Sequence, residues 1–134
     1  MPLLRLLKRL QKYRVGRIRI ANRTVTAAFA DSFIKRLLGL MYVPRISGFE
    51  CMFFDFPYSG RHEIWMRNML FPLDIIWVNE KNKVVDYVRG VKPCREFACK
   101  IYRPKSDSRY IVEAESGFIR RFKITVGTRI TRKD

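Results

Sequence analysis

The sequence predicts a mainly β protein. Residues 15–134 read as one β-sandwich or barrel-like domain with short helices, preceded by a basic amphipathic helix over residues 1–14. Three observations carry that expectation. From Val15 onward, short apolar runs alternate with polar residues at a period of two and are separated by turn-forming residues. Only short helical stretches lie between them, which argues for a sandwich or barrel over repeated βαβ units. Finally, 134 residues with a hydrophobic fraction of 48% are enough for one buried core, and ten Phe exclude a disordered chain.

The helix comes first along the chain. Leu3, Leu6, Leu7 and Leu10 recur at helical spacing, with Arg5, Lys8, Arg9 and Lys12 clustered opposite. Such a helix can lie on a membrane, bind an acidic partner or dock its leucines on its own domain; docking is favoured, because most amphipathic helices serve a core. Ile18 and Ile20, then Val25, Ala27 and Phe29, predict a hairpin turning at Ala21-Asn22-Arg23. Asp31 is the expected N-cap of a short helix that ends at Gly39. Strands are expected near 50–56, 61–66 and 73–79, with a hairpin at Glu80–Lys83 leading into Val84–Val91. Residues 92–108 read as a loop, 109–115 as a strand, 116–123 as a short helix and 126–130 as a closing strand.

The formal net charge is +16, and it belongs to the two ends. Residues 1–23 carry eight Lys/Arg and no acid, and residues 119–134 carry six against Asp134 alone. Basic ends of this kind attract nucleic acid or an anionic membrane surface, and Arg5, Lys8, Arg9 and Lys12 are the candidate contacts. The competing explanation is a solvated surface on a heat-adapted protein, which 30% charged residues with a single Gln also fit. No apolar run approaches the roughly 18 residues that span a bilayer. Basic residues interrupt the N-terminal leucines and no small-residue cleavage site follows, so a signal peptide is not read and a cytoplasmic location is expected.

The densest region chemically is Arg61–Asn79, RHEIWMRNMLFPLDIIWVN. Asp74 lies in an apolar strand whose two faces, Leu73/Ile75/Trp77 and Ile76/Val78, are both greasy, so its carboxyl is expected to be desolvated. A lone buried carboxylate costs several kcal/mol unless paired or hydrogen-bonded. Arg36, Arg67 or the backbone amides of the preceding turn are the expected structural partners; a general base with a perturbed pKa is the functional alternative. Trp65 falls on the polar face beside Arg67 and Asn68, a grouping that stacks a planar ligand and directs hydrogen bonds to it, or else simply lids one end of the domain.

Cys94 and Cys99 in a Pro-flanked loop admit a disulfide, a metal half-site or two free thiols. A closed zinc site would need Cys51 and His62 to converge with them, so no metal is expected. A disulfide is favoured; it would contribute roughly 2 kcal/mol by the chain-entropy argument. No phosphate-cradling loop, nucleophile elbow or metal-helix motif is present, and no cofactor is expected.

Several segments together resemble one family. These are Arg36-Leu37-Leu38-Gly39-Leu40-Met41, Cys51-Met52-Phe53-Phe54-Asp55-Phe56 and Ile64-Trp65-Met66-Arg67-Asn68-Met69, followed by Pro72-Leu73-Asp74-Ile75-Ile76. Their pattern resembles the domain-of-unknown-function 192 family over roughly residues 24–131. The resemblance implies a compact, mainly β, sandwich-like domain with paired cysteines in the 94–99 loop, and it implies no activity. Met69 stands where the family has a hydroxyl residue, Cys51 where it has glycine, and the basic helix lies outside the shared region.

The leading functional expectation is a non-enzymatic domain binding a small ligand or partner in a cleft formed by Arg36, Trp65, Arg67, Asn68 and Asp74. Polyanion binding by the basic ends is the alternative from another class. An enzyme using Asp74, His62 and Cys94 is the third.

Overall fold

The computed structural model describes residues 2–133. Among them the elements run α1 (Pro2–Leu10), β1 (Arg14–Ile20), β2 (Arg23–Ala30), α2 (Phe33–Leu38), β3 (Cys51–Gly60), β4 (Ile64–Trp65), β5 (Leu73–Val78), β6 (Val84–Val91), β7 (Ile101–Tyr102), β8 (Ser108–Glu115), α3 (Phe118–Arg121) and β9 (Ile130–Arg132). The expected β character holds. Seven strands form one curled sheet in the order β6-β5-β8-β3-β2-β1-β9, and β4 and β7 form a separate pair.

The hairpin β1–β2 pairs Ile20 with Arg23 and turns through Ala21, which takes the left-handed φ of 53°. The chain then crosses through α2 and returns as β3, parallel to β2, with Ala27 beside Cys51 and Phe29 beside Phe53. One βαβ-like step thus sits inside an otherwise antiparallel sheet. The curl nearly closes at the end of the chain. The Ala21 amide donates to the Arg129 carbonyl (2.8 Å), while the Ile130 amide donates to Asn82 (2.8 Å) and the Val84 amide to Thr128 (2.9 Å). The last segment therefore bridges strands from opposite edges of the sheet, which satisfies edge groups that would otherwise invite aggregation.

Alternation along each strand fills both faces. On one side, Ile18, Phe29, Phe53, Ile76 and Val112 pack against Phe118, Ile119 and Phe122 of the α3 region. On the other side, Ala28, Met52, Phe54, Ile75, Trp77 and Ile111 pack under Leu40, Met66 and Met69 from the 39–50 and 61–72 segments. All six residues of β5 are buried, so this strand belongs to both cores.

Several local expectations need correction. Ser32, not Asp31, caps α2: its extended backbone lets Oγ accept from the Lys35 amide at 3.3 Å. The expected strand at 61–66 shrinks to Ile64–Trp65. There the His62 carbonyl is taken by the indole Nε1 of Trp77 (2.9 Å), and the imidazole stacks on Phe56 with ring centroids 3.7 Å apart. The closing strand begins at Ile130, because Thr125–Thr128 form a turn in which the Thr128 amide donates to the Thr125 carbonyl (3.0 Å). Finally, α1 buries none of its leucines: Leu7 is half-buried, and Leu3, Leu4, Leu6 and Leu10 are exposed.

Candidate functional site

Asp74 does not join the expected cleft. It is fully buried, and neither Arg36 nor Arg67 pairs with it. Its Oδ1 accepts from the Gly90 amide (2.8 Å), and its Oδ2 accepts from the Gly117 (3.1 Å) and Ile119 (2.9 Å) amides. Those last two are orphan donors at the start of α3, whose cap residue Gly117 has no side chain to offer. A carboxylate from β5 therefore caps a helix that follows β8. Strand alternation explains the misassignment: Asp74 points with Ile76 and Val78 toward the α3 side, while the arginines lie over the other face.

The residues on that other face do converge. Arg36 from α2, Trp65 from β4, and Arg67 and Met69 from the following turn line a cavity of about 150 Å³, closed by Leu40, Phe54, Ile64 and Glu113. Glu113 is not among the residues that the sequence singles out. It sits on β8 opposite Met52 and Ile75, in the middle of the sheet, with 5% of its surface exposed. Its carboxyl makes no hydrogen bond or ion pair among the described residues. Burial raises its pKa to about 8, so near neutral pH the carboxyl is largely protonated and offers an O–H donor.

The wall around Glu113 is built for close approach. Gly39 ends α2 with a φ of 46°, and a Cβ there would meet the Phe54 ring at 3.0 Å and Glu113 Oε1 at 3.8 Å. Glycine thus lets the helix end settle directly over the carboxyl. The Tyr13 hydroxyl straps this turn by donating to the Gly39 carbonyl (2.7 Å). Burial and then the neighbouring Glu113 charge push that hydroxyl's pKa upward.

Both arginines are oriented by backbone carbonyls. Arg36 donates to Asp55 O (3.0 Å) and lies 5.5 Å from the Phe56 ring centre. Arg67 donates to Phe97 O and lies 4.9 Å over the Trp65 ring. The buried Arg67 Nε–H has no partner among the described residues. Trp65 is 43% exposed, so it flanks the opening and does not fill the core. Asn68 faces elsewhere: with Tyr42, Leu70 and Cys94 it lines a neighbouring hollow of about 310 Å³ that shares Arg67 and Met69 with the first.

Cys94 and Cys99 are joined by a disulfide with a Cα–Cα separation of 5.8 Å. The Cys94 amide donates to Met66 O (3.0 Å), which ties the loop to the turn that carries Arg67. Cys51 is a free thiol buried between the sheet and α3, and burial drives its pKa upward. The enzyme constellation does not assemble. Asp74 is occupied by amides, Cys94 is in the disulfide, and His62 stacks on Phe56 with Nε2 at 3.0 Å from Tyr58 O. Among the described residues no three His, Cys, Asp or Glu side chains gather to hold a metal.

The fold and this cavity define a class: a single curled β-sheet domain with an arginine-flanked pocket over a buried acid. The chain belongs to the domain-of-unknown-function 192 (DUF192) family, described as uncharacterized ACR, which it matches over residues 16–132. An uncharacterised UPF0127 protein of Thermococcus gammatolerans is 36% identical over 104 residues, 76% of this chain and 63% of that protein. A UPF0127 protein of Pyrococcus furiosus is 36% identical over 112 residues, 79% of this chain and 85% of that protein. The chain thus spans slightly under two thirds of the length of the Thermococcus relative. Among solved structures, a candidate transcription regulator of Sinorhizobium meliloti superposes with a TM-score of 0.80 at 25% identity, over 90% of this chain and 95% of that one. A Novosphingobium aromaticivorans protein of unknown function superposes with a TM-score of 0.77 at 20% identity, covering 87% of this chain and 84% of that one.

Proposed function

We propose that this domain binds a small molecule in the Glu113 cavity, and that the ligand is a compact carboxylic acid with an apolar body. The observation that carries the reading is Glu113 itself, a buried acid lining a cavity, with no hydrogen bond or ion pair among the described residues. Polar groups at that depth are ordinarily satisfied, and one that is not marks a place where a ligand can supply the missing partner. Protonated, Glu113 donates. Arg36 and Arg67 contribute positive charge, and the Arg67 Nε–H is a further donor without a partner among the described residues. An acceptor-rich, anionic group complements such a wall. Leu37, Leu40, Phe54, Ile64 and Met69 supply the greasy remainder. A cavity of about 150 Å³ suits something the size of a benzene ring.

Tryptophan fluorescence tests this directly, because Trp65 flanks the cavity while Trp77 is sealed in the core. Titration with benzoate and short aliphatic carboxylates is expected to change the Trp65 signal, and the change should vanish in Trp65→Phe. Affinity should fall about tenfold per pH unit above about pH 8, as Glu113 ionises beside the anion. Glu113→Leu should fold, since replacing a buried acid by an apolar side chain is often neutral or stabilising, yet bind at least about tenfold more weakly. A folded protein whose Trp65 responds to none of these acids, or a Glu113→Leu variant that binds as tightly as the parent, rules the reading out.

A further inference from the structure

The helix α1 is held at one end, and of its leucines only Leu7 is half-covered. The Gln11 amide donates to Leu7 O (2.9 Å), and the Gln11 side chain donates to Met41 O (2.7 Å). Tyr13 bonds the same Gly39–Met41 turn. No residue of α1 is buried, and Leu3 and Leu6 are 65% and 50% exposed. Arg5, Lys8 and Arg9 share the helix and Lys12 follows it, with no acid anywhere in residues 1–23. A second apolar patch lies beyond the same turn, where Phe33, Ile34 and Leu37 of α2 are also exposed. Tyr13 reaches α2 as well, its hydroxyl lying 3.5 Å from Lys35 O.

We infer that α1 is a peripheral anchor that lies in the headgroup region of an anionic membrane. Its leucines enter the acyl boundary and its basic side chains meet the lipid phosphates. This inference stands independently of the cavity. Nucleic acid and a second copy of the chain each leave part of the helix unsatisfied. A nucleic acid would neutralise the cations but leave the leucines in water. A second copy would cover the leucines but set two acid-free basic segments against each other. An anionic bilayer answers both features, as surface-lying amphipathic helices do. The anchor ends at Gly39–Met41, which also line the Glu113 cavity, so the bound protein would hold that cavity close to the lipid surface.

Vesicle flotation of the full chain tests the inference. Phosphatidylcholine vesicles containing one third phosphatidylglycerol are expected to carry the protein up the gradient, and pure phosphatidylcholine to bind it at least about tenfold more weakly. The double variant Leu3→Ser/Leu6→Ser should lose at least about tenfold in binding to the anionic vesicles, and Lys8→Glu/Arg9→Glu should lose as much. Both should keep the parent's circular dichroism and buried Trp77 emission, because α1 contributes nothing to the core. Three outcomes overturn the inference. One is flotation that the leucine variant leaves unchanged. Another is no flotation of the parent together with duplex DNA binding insensitive to the leucines. The third is self-association, removed by the leucine substitutions, in a protein that ignores vesicles.

Discussion

Asp74 and Glu113 are near neighbours across the β5–β8 ladder, where Asp74 pairs with Ala114 and Ile75 with Glu113. Each is buried, and each hangs from an interior strand of the same sheet. They face opposite sides and meet opposite surroundings. On the α3 side, three backbone amides converge on Asp74 and the site is closed. On the α2 side, Glu113 looks into a cavity, with no hydrogen bond or ion pair to its carboxyl among the described residues and its pKa raised by burial. Depth alone does not nominate a functional acid; unmet hydrogen-bonding capacity does. One carboxyl is a structural cap, and the other is the candidate for binding.

The sharpest way to break this contrast is at Asp74. Asp74→Ala would leave the Gly90, Gly117 and Ile119 amides without an acceptor, and about 3 kcal/mol or more of stability should be lost. Asp74→Asn keeps the shape but turns one acceptor into a donor facing an amide, so a loss of similar size is expected. Urea unfolding measures both. Amide exchange at Gly117 and Ile119 should accelerate even where the variant stays folded. An Asn variant within about 0.5 kcal/mol of the parent would mean the amides find other partners.

How far the sequence reveals this arrangement depends on how local each cause is. The β class, the first hairpin, α2 and most strands are readable because period-two and capping patterns lie within a few residues. Asp74 also stands out locally, since every strand neighbour is apolar and both faces must be buried. Its partners do not stand out, because Gly90 and Gly117 lie in other segments and their amides leave no mark in composition. Glu113 is hidden for the converse reason. Along β8, Ile111, Glu113 and Glu115 share one face, which reads as a half-solvated strand. Only the distant Gly39–Met41 turn, laid over that face, buries the middle carboxyl. One signal lies in the pairing itself: Glu113 stands opposite Met52 and Ile75, both apolar and buried. The grouping of Trp65 with Arg67 is legible from the turn chemistry; Arg36, on the distant α2, enters the sequence reading only as a partner for Asp74, which alternation places on the opposite face.

At Glu113 the contrast can be sharpened through pH. The folded carboxyl titrates near 8 and the unfolded one near 4.5. Between those values the folded state holds a proton that the unfolded state has released, so stability falls as pH rises and levels off above about 8. The fall should total roughly 3–5 kcal/mol for an ideal single group, with relaxation around the cavity reducing it. Glu113→Gln cannot ionise and should lack this slope. The parent and the variant should therefore be similar near pH 4.5, and the variant clearly more stable at pH 9. Thermal melts across that range measure the difference. Parallel curves for the two proteins would mean that Glu113 is solvated or paired in solution.

The smallest expected effect comes from the Cys94–Cys99 bond, and it separates the two sides of the sheet most cleanly. The loop it closes is short, so removing the bond should cost about 2 kcal/mol or less. Its local consequences should be unequal. Cys94 bonds Met66 O, and the loop residue Phe97 accepts from Arg67, whose guanidinium covers Trp65. Reduction, or Cys94→Ser/Cys99→Ser, should therefore loosen Arg67 and alter Trp65 fluorescence. The Gly117 and Ile119 amides, held by Asp74 on the far face, should keep their exchange protection. Because Arg67 also borders the Glu113 cavity, carboxylate affinity should weaken with the bond gone, in step with the Trp65 change. If both faces loosened together, the loop would act on the whole sheet, and the division between a closed side and a receptive side would not hold.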